Sequence, residues 1–223
     1  MKLLSVKQAR AIWLINLIDL NPRGRNILAL VADIVNKYKF FKYPNPTKPE
    51  EFDLSTGIKF QSGTFMRETQ PDIMVDLTVY NDGLLADTRS STDDSDAFLH
   101  DLLTHLTDEF DFTPYHEIIR YQSYVSELFV QTTKHLNSLN SKLEKFAKLL
   151  TSMIKGHSHH PIAFETVSIT FWTDQTITLP PGPFRFERII EIPFAENRYY
   201  SAAPLQTNAH LEILDEFENI LSE

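Results

Sequence analysis

Apolar residues are concentrated in two runs within the first forty positions of the chain, and a polar segment separates the two runs. The first run covers residues 5–20, the second covers residues 26–39, and the break reads Asn-Pro-Arg-Gly-Arg. Proline and glycine both favour helix ends, so the break predicts a turn between two helices. Each helix would be apolar on more than one face, which is typical of helices covered on several sides. The pattern therefore predicts an N-terminal helical hairpin.

A proline-rich segment follows the predicted hairpin. Residues 43–52 contain three prolines, and a residue that precedes proline is biased away from the helix. This segment is the best candidate for a domain boundary. The resulting prediction is a helical hairpin over residues 1–42, packed on or swapped with the main domain, and an α+β domain over residues 52–223.

Strand signals begin after this boundary. Asn81-Asp82-Gly83 separates two apolar runs and predicts a β-hairpin, because asparagine and glycine tolerate a positive φ. Residues 57–66 predict a second, shorter hairpin. Further strands are predicted at residues 124–131, 166–173 and 184–192.

Helical periodicity returns at residues 90–110, 135–156 and 208–221. These helices do not alternate regularly with the strands, so a doubly wound parallel sheet is not expected. The predicted fold class is α+β. It would contain a mostly antiparallel sheet of about six or seven strands, packed helices and the N-terminal helical hairpin.

The most regular apolar spacing lies in the predicted helix over residues 135–156. Its apolar residues recur at intervals of three and four, which is the seam of a coiled coil. Such a seam packs either across the sheet of its own domain or against a partner. The seam consists of Leu136, Leu139, Leu143, Phe146, Leu150 and Met153.

Two further segments are candidates for an interaction surface. The apolar N-terminal helices, with Trp13, would leave area for a partner if they were not fully covered. Arg198, Tyr199 and Tyr200 fall in a predicted surface loop, and arginine and tyrosine are enriched in binding hot spots.

Charge is strongly segregated along this acidic chain, whose net charge is −9. Residues 1–48 hold nine lysines and arginines against two acids, or +7, and residues 81–111 hold nine acids against one arginine, or −8. Five acids and no base follow Arg198. This arrangement predicts one cationic end and two anionic helices, which pair with each other or with partners.

Composition excludes several classes of site. The chain has no cysteine, so disulfides and thiolate metal sites are excluded, and a cytoplasmic location is expected. No stretch approaches the roughly 20 apolar residues that span a bilayer, so no membrane association is expected.

Three histidines form the one candidate metal site, which would belong to a metal-dependent hydrolase. His157, His159 and His160 lie close together, but helical zinc ligands are spaced by four residues, and this spacing is absent. Gly156 and Pro161 favour a different interpretation, a polar loop that ends the preceding helix.

Lysines and aromatic residues alternate over residues 37–48, which gives a second alternative. Lys37, Lys39 and Lys42 lie among tyrosines and phenylalanines, a combination that binds single-stranded nucleic acid.

Motifs of catalysis do not support an enzyme. The chain contains no G-x-S-x-G, P-loop or G-x-G-x-x-G sequence, and no cofactor is expected. The sequence favours a non-catalytic interaction subunit or adaptor of a homo- or hetero-oligomeric assembly, with a protein partner or a second copy as ligand. The nucleic-acid and hydrolase hypotheses are the alternatives.

Overall fold

The computed structural model describes residues 1–67, 72–154 and 162–222. Over these ranges the chain forms helices and one antiparallel sheet, which confirms the α+β class. The described strands are β1 (Lys2–Leu14), β2 (Ile58–Phe65), β3 (Ile73–Tyr80), β4 (Gly83–Thr88), β5 (Tyr121–Gln131), β6 (Ser168–Phe171), β7 (Phe184–Arg188) and β8 (Arg198–Ala203). The described α-helices are α1 (Leu17–Leu20), α2 (Ile27–Tyr38), α3 (Thr92–Phe110), α4 (Ser141–Ile154) and α5 (Thr207–Ile220).

The chain divides into two compact units. The N-terminal unit comprises Val6–Ser126 and Leu205–Thr207, and the C-terminal unit comprises Met1–Ser5, Glu127–Pro204 and Asn208–Glu223. Neighbouring strands in the N-terminal unit follow the order β2-β3-β4-β1, and those in the C-terminal unit follow β8-β7-β6. The predicted boundary near residues 43–52 stays a prediction.

The prediction of an N-terminal helical hairpin is wrong, because the chain begins with the strand β1. Ala9, Ala11 and Trp13 are fully buried, while the residues between them are only half-buried. This period of two belongs to a strand. A continuous apolar run fits a strand or a buried helix equally well by periodicity alone, and α1 is only one turn long. The second helix of the predicted pair exists as α2.

The part of the chain that the structure describes has eight strands rather than six or seven. β1 and β8 add strands where a helix and a loop were expected. The predicted short hairpin over residues 57–66 is the single strand β2, in which the register shifts between Phe60 and Gly63 and Ser62 has a φ of 55°. The β3–β4 hairpin is confirmed, with Tyr80 opposite Gly83.

Trp13 is the central residue of the N-terminal unit's core. Its indole Nε1 donates a hydrogen bond of 2.7 Å to Asp96 on α3, and its ring contacts His100 edge-on at 4.6 Å. Asp96 also accepts a bond of 3.1 Å from the Tyr124 hydroxyl. Two donors therefore satisfy a carboxylate that stands near the start of α3, where the helix dipole favours negative charge.

Tyr38, at the end of α2, joins that helix to α3. Its hydroxyl donates a hydrogen bond of 2.6 Å to Asp101, which also pairs with Lys37 at 3.0 Å. Burial, followed by the contact with Asp101, raises the pKa of Tyr38 above its ordinary value of 10.0. The folded protein therefore holds the phenolic proton more tightly than the unfolded chain does.

We expect the variant Tyr38→Phe to have a free energy of unfolding about 1 kcal/mol below that of the wild type at neutral pH. Because the pKa of Tyr38 is raised on folding, its contribution is fully present below pH 10 and is lost as the pH rises further. Urea denaturation at several pH values measures both effects. A constant difference between the two proteins across the alkaline range would contradict this assignment.

The C-terminal unit has a separate core around β7 and β8. Phe186 stacks on Tyr199 with ring centroids 4.5 Å apart, and Phe217 of α5 meets Phe186 edge-on at 5.2 Å. Leu214 of α5 is fully buried. Burial of one side of α5 against the sheet leaves its opposite side to solvent.

A buried arginine crosses this core. The Arg188 guanidinium donates to the Tyr199 hydroxyl at 2.9 Å, to Asn197 Oδ1 at 3.2 Å and to Glu165 Oε2 at 3.3 Å. A further bond reaches the backbone carbonyl of Phe194, whose ring also lies under the guanidinium at 4.6 Å. Arginine tolerates burial here because acceptors and rings surround it.

Candidate functional site

Helix α4 of the C-terminal unit carries the central part of the predicted seam. It begins after Asn140, whose side-chain oxygen accepts a hydrogen bond of 2.9 Å from the N–H of Lys142. Glu144 and Lys148, four positions apart, form an ion pair at 2.6 Å, and such pairs stabilise exposed helices. Ala147 is the buried residue of the helix, so most of the surface of α4 remains open.

The open side of α4 is apolar. Leu143, Phe146, Leu149 and Met153 are between 47% and 66% exposed. Their spacing of three or four residues places them in one line along the helix. We call these four residues the α4 stripe. Scattered exposed apolar residues are normal on a protein, whereas a contiguous group of them is a candidate interaction surface.

Lysines accompany the α4 stripe. Lys142, Lys145 and Lys148 are exposed, and Glu144 is the single acid of α4. Three positive charges against one negative charge give the helix a net charge of +2. The exposed side of α4 therefore combines apolar side chains with positive charge.

Helix α5 of the same unit presents the opposite charge. Ile213 and Ile220 are about half exposed, and their spacing places them on one side of the helix together with Glu216. Glu212, Asp215, Glu216 and Glu218 give α5 a net charge of −4, because it contains no lysine or arginine. We call this exposed side, defined by Glu212, Ile213, Glu216 and Ile220, the α5 acidic face.

The predicted seam is shorter in the structure than in the sequence. Leu136 and Leu139 lie in a separate 3-10 helix, and Asn140 after it is extended, with φ −154° and ψ 108°. Leu136 is buried and Leu139 and Leu150 are half-buried. The exposed members of the seam are therefore the ones on α4, and Leu149 joins them as a residue that the spacing of three and four did not include.

The remaining predicted interaction residues lie in strands. Trp13 on β1 and Tyr199 on β8 are fully buried inside their own units, so they offer no area to a partner. Arg198 and Tyr200 are half-buried, and Arg198 pairs with Glu196 at 3.0 Å. Burial raises the pKa of both tyrosine hydroxyls, and Arg188 partly offsets this effect at Tyr199.

The candidate metal site lies outside the described residues. His157, His159 and His160 belong to that part of the chain, and the hydrolase hypothesis stays a prediction. Over the described ranges there is no group of three or more histidine, aspartate or glutamate residues arranged to hold a metal ion. No described helix has both the length and the apolar character that crossing a membrane requires.

One serine–histidine pair does form, in the core of the C-terminal unit. The Ser201 hydroxyl lies 2.8 Å from His210 Nε2 and donates to the Arg185 carbonyl at 2.9 Å. Both side chains are fully buried. Because the serine proton is already engaged and a substrate has no access, this pair is a packing contact rather than a nucleophile and its base.

The basic segment at the end of α2 is only partly available to a ligand. Lys37 pairs with Asp101, Lys39 ends the helix in the left-handed conformation, and the backbone of Lys42 bonds to β2. Among the neighbouring aromatic residues, Phe41 is 79% exposed and Tyr43 about half exposed. A single-stranded nucleic-acid site over these residues stays the alternative hypothesis.

Comparison with models of known protein families and with curated proteins finds no match to this sequence. The exposed surfaces of the molecule itself therefore indicate what it can bind. Among these, α4 and α5 combine exposed apolar residues with opposite charges. The number of acidic residues after Arg198 predicted the negative charge of α5. Only the exposed fractions of the side chains show which isoleucines of α5 face solvent.

Proposed function

We propose that the protein is a non-catalytic subunit that associates with a second copy of itself through α4 and α5. The observation that carries this proposal is the complementarity of the two exposed helix faces. The α4 stripe lies among lysines, and the α5 acidic face carries isoleucines among carboxylates.

Two-fold symmetry explains why one chain would carry both faces. In a symmetric dimer each residue pair occurs twice, so α4 of one copy meets α5 of the partner and the reverse contact forms as well. The lysines of α4 would then face Glu212 and Glu216 of the partner's α5 in both contacts. Such complementarity selects the partner and its orientation.

Apolar burial would supply most of the association energy. Burying an exposed leucine or phenylalanine side chain completely stabilises a complex by about 1.5–3 kcal/mol, and these side chains are already half-buried, which leaves about half of that. Four residues of the α4 stripe and two isoleucines of α5 would contribute from each copy. The surrounding lysines and acids would form the polar rim that such interfaces have.

We expect the wild-type protein to be a dimer by light scattering coupled to gel filtration. The double variant Lys142→Glu, Lys145→Glu should associate about tenfold to a hundredfold more weakly, because each rim ion pair contributes up to about 1 kcal/mol and each is replaced by repulsion. The double variant Glu212→Lys, Glu216→Lys should weaken association for the same reason.

Mixing the two double variants gives the sharpest test. Each variant alone would bring like charges together, whereas a heterodimer would pair an acidic α4 with a basic α5 in one contact and native charges in the other. We therefore expect the mixture to regain the dimer. The control variant Lys42→Glu, Lys59→Glu changes exposed lysines of the N-terminal unit and should stay dimeric. A wild-type protein that is monomeric at every concentration would disprove the proposal.

A further inference from the structure

A cavity of about 100 Å³ lies within the N-terminal unit. Its wall is built from hydrocarbon side chains of α1, α2, α3 and the sheet, among them Leu20, Leu30, Val31, Phe60, Leu77 and Leu106. Among the described residues that line it, Asn21 alone carries a polar side chain. Water gains few hydrogen bonds in such a space, and an engineered cavity of about 150 Å³ with a similar lining stays dry and binds benzene or xenon.

The cavity reaches the surface at the beginning of α2. Ile27, the first residue of α2, lines the cavity and is also exposed. Asn21 lines it too and holds the connecting loop in place. Its Oδ1 accepts a hydrogen bond of 2.9 Å from the Arg25 N–H, and its Nδ2 donates to the Arg25 carbonyl at 3.3 Å. The backbone of Arg25 is therefore held beside a residue that lines the cavity, and its guanidinium Nε donates to the Phe110 carbonyl at 3.0 Å.

Positive charge is in excess in this loop. The guanidinium groups of Arg23 and Arg25 both contact the carboxylate of Asp111, so two positive charges share one negative charge. Both arginine side chains are also well exposed. Guanidinium groups recognise carboxylates with paired hydrogen bonds, and this loop would accept one more anion.

We propose that the N-terminal unit binds a short-chain carboxylic acid, with its hydrocarbon tail in the cavity and its carboxylate beside Arg23 and Arg25. The volume limits the tail to a few carbons, because a cavity about half as large again holds a single benzene ring. The apolar lining excludes a second polar group on the tail, since that group would lose its hydrogen bonds to water without replacement. The site is independent of α4 and α5.

Hexanoate, 1-hexanol and hexylamine are unbranched probes of six carbons each, with different head groups. We expect methyl NMR of the full chain to show saturable shifts at Leu30, Val31 and Leu106 with hexanoate. The affinity should be about tenfold lower for hexanol and lower still for hexylamine. Equal affinity for all three probes would disprove the role of the arginines, and absence of saturable shifts with any probe would disprove the site.

Variants separate the tail site from the head-group site. Val31→Phe fills the cavity and should abolish hexanoate binding, whereas Val35→Phe lies on the same helix outside the lining and should leave it unchanged. Arg23→Ser with Arg25→Ser alters exposed residues only, so it tests the proposal even if Val31→Phe does not fold. It should reduce hexanoate binding about tenfold and leave hexanol binding unchanged. Hexanoate binding that survives in both altered proteins would overturn the proposal.

Discussion

Replacing Trp13 with alanine is expected to lower the free energy of unfolding by about 4 kcal/mol. The indole is fully buried, so its removal leaves a large cavity between β1 and α3. The half-buried Asp96 carboxylate also loses the donor that lies 2.7 Å away and keeps only the Tyr124 hydroxyl at 3.1 Å, which adds a smaller cost. Urea denaturation followed by circular dichroism measures the change.

The variant Trp13→Phe separates these two causes. It keeps most of the ring volume and removes the Nε1 donor, so we expect a loss of about 1–2 kcal/mol. Replacement of the exposed Trp172 by alanine is the matched control and should change the free energy of unfolding by less than about 0.5 kcal/mol. Equal losses at Trp13 and Trp172 would show that β1 does not lie in the core.

Replacing Arg188 with methionine is expected to lower the free energy of unfolding by about 3 kcal/mol. Methionine fills much of the volume but provides no donor. The Tyr199 hydroxyl, the Asn197 amide oxygen and the Phe194 carbonyl would then remain in the core of the C-terminal unit with one partner fewer. Glu165 would lose its cation but is partly open to solvent, so its share of the loss is smaller.

Arg185, three positions earlier on β7, provides the control. It is exposed, so Arg185→Met should change the free energy of unfolding by less than about 0.5 kcal/mol. Arg188→Lys keeps the charge but has a single nitrogen that cannot reach all four acceptors, so a loss of about 2 kcal/mol is expected. Similar stabilities of the Arg185 and Arg188 variants in thermal or urea denaturation would contradict the buried network.

Helices with one clear apolar side were predictable from the sequence. α3 begins where Ser91 accepts a hydrogen bond from the Asp94 N–H at 3.1 Å, near the start of the helix that the periodicity of residues 90–110 predicted. α5 extends over Thr207–Ile220, as the periodicity of residues 208–221 indicated. Local chemistry determines these elements, because their caps and their apolar spacing lie within a few residues of each other.

Strands whose partners lie far along the chain were harder to predict. β1 pairs with β4, so that Trp13 lies opposite Leu84, and nothing within residues 5–20 reveals that pairing. β8 was expected to be part of a surface loop that contains Arg198, Tyr199 and Tyr200. Its register with β7, in which Tyr199 lies opposite Arg188, depends on contacts that only the folded chain brings together.

The apolar spacing and the charge of the candidate site were predictable from the sequence, but its limits and its exposure were not. The spacing of Leu143, Phe146 and Met153 indicated an apolar face, and the charge tally indicated an acidic C-terminal helix. The extended Asn140, which separates Leu139 from α4, could not be foreseen, because asparagine occurs in helices as well as at their caps. Which apolar residues remain exposed depends on the packing of the helix and not on its sequence alone.

The division of the chain into units bears on how the protein is made. Val6–Ser126 precede most of the other unit along the chain, and of their own unit only Leu205–Thr207 come later. The other unit includes Met1–Ser5 together with segments from Glu127 onward. Since domains fold as units during synthesis, Met1–Ser5 cannot join their unit until Val6–Ser126 and the segments after it have been synthesised. A fragment that starts at Glu127 would lack the part of β1 that belongs to it.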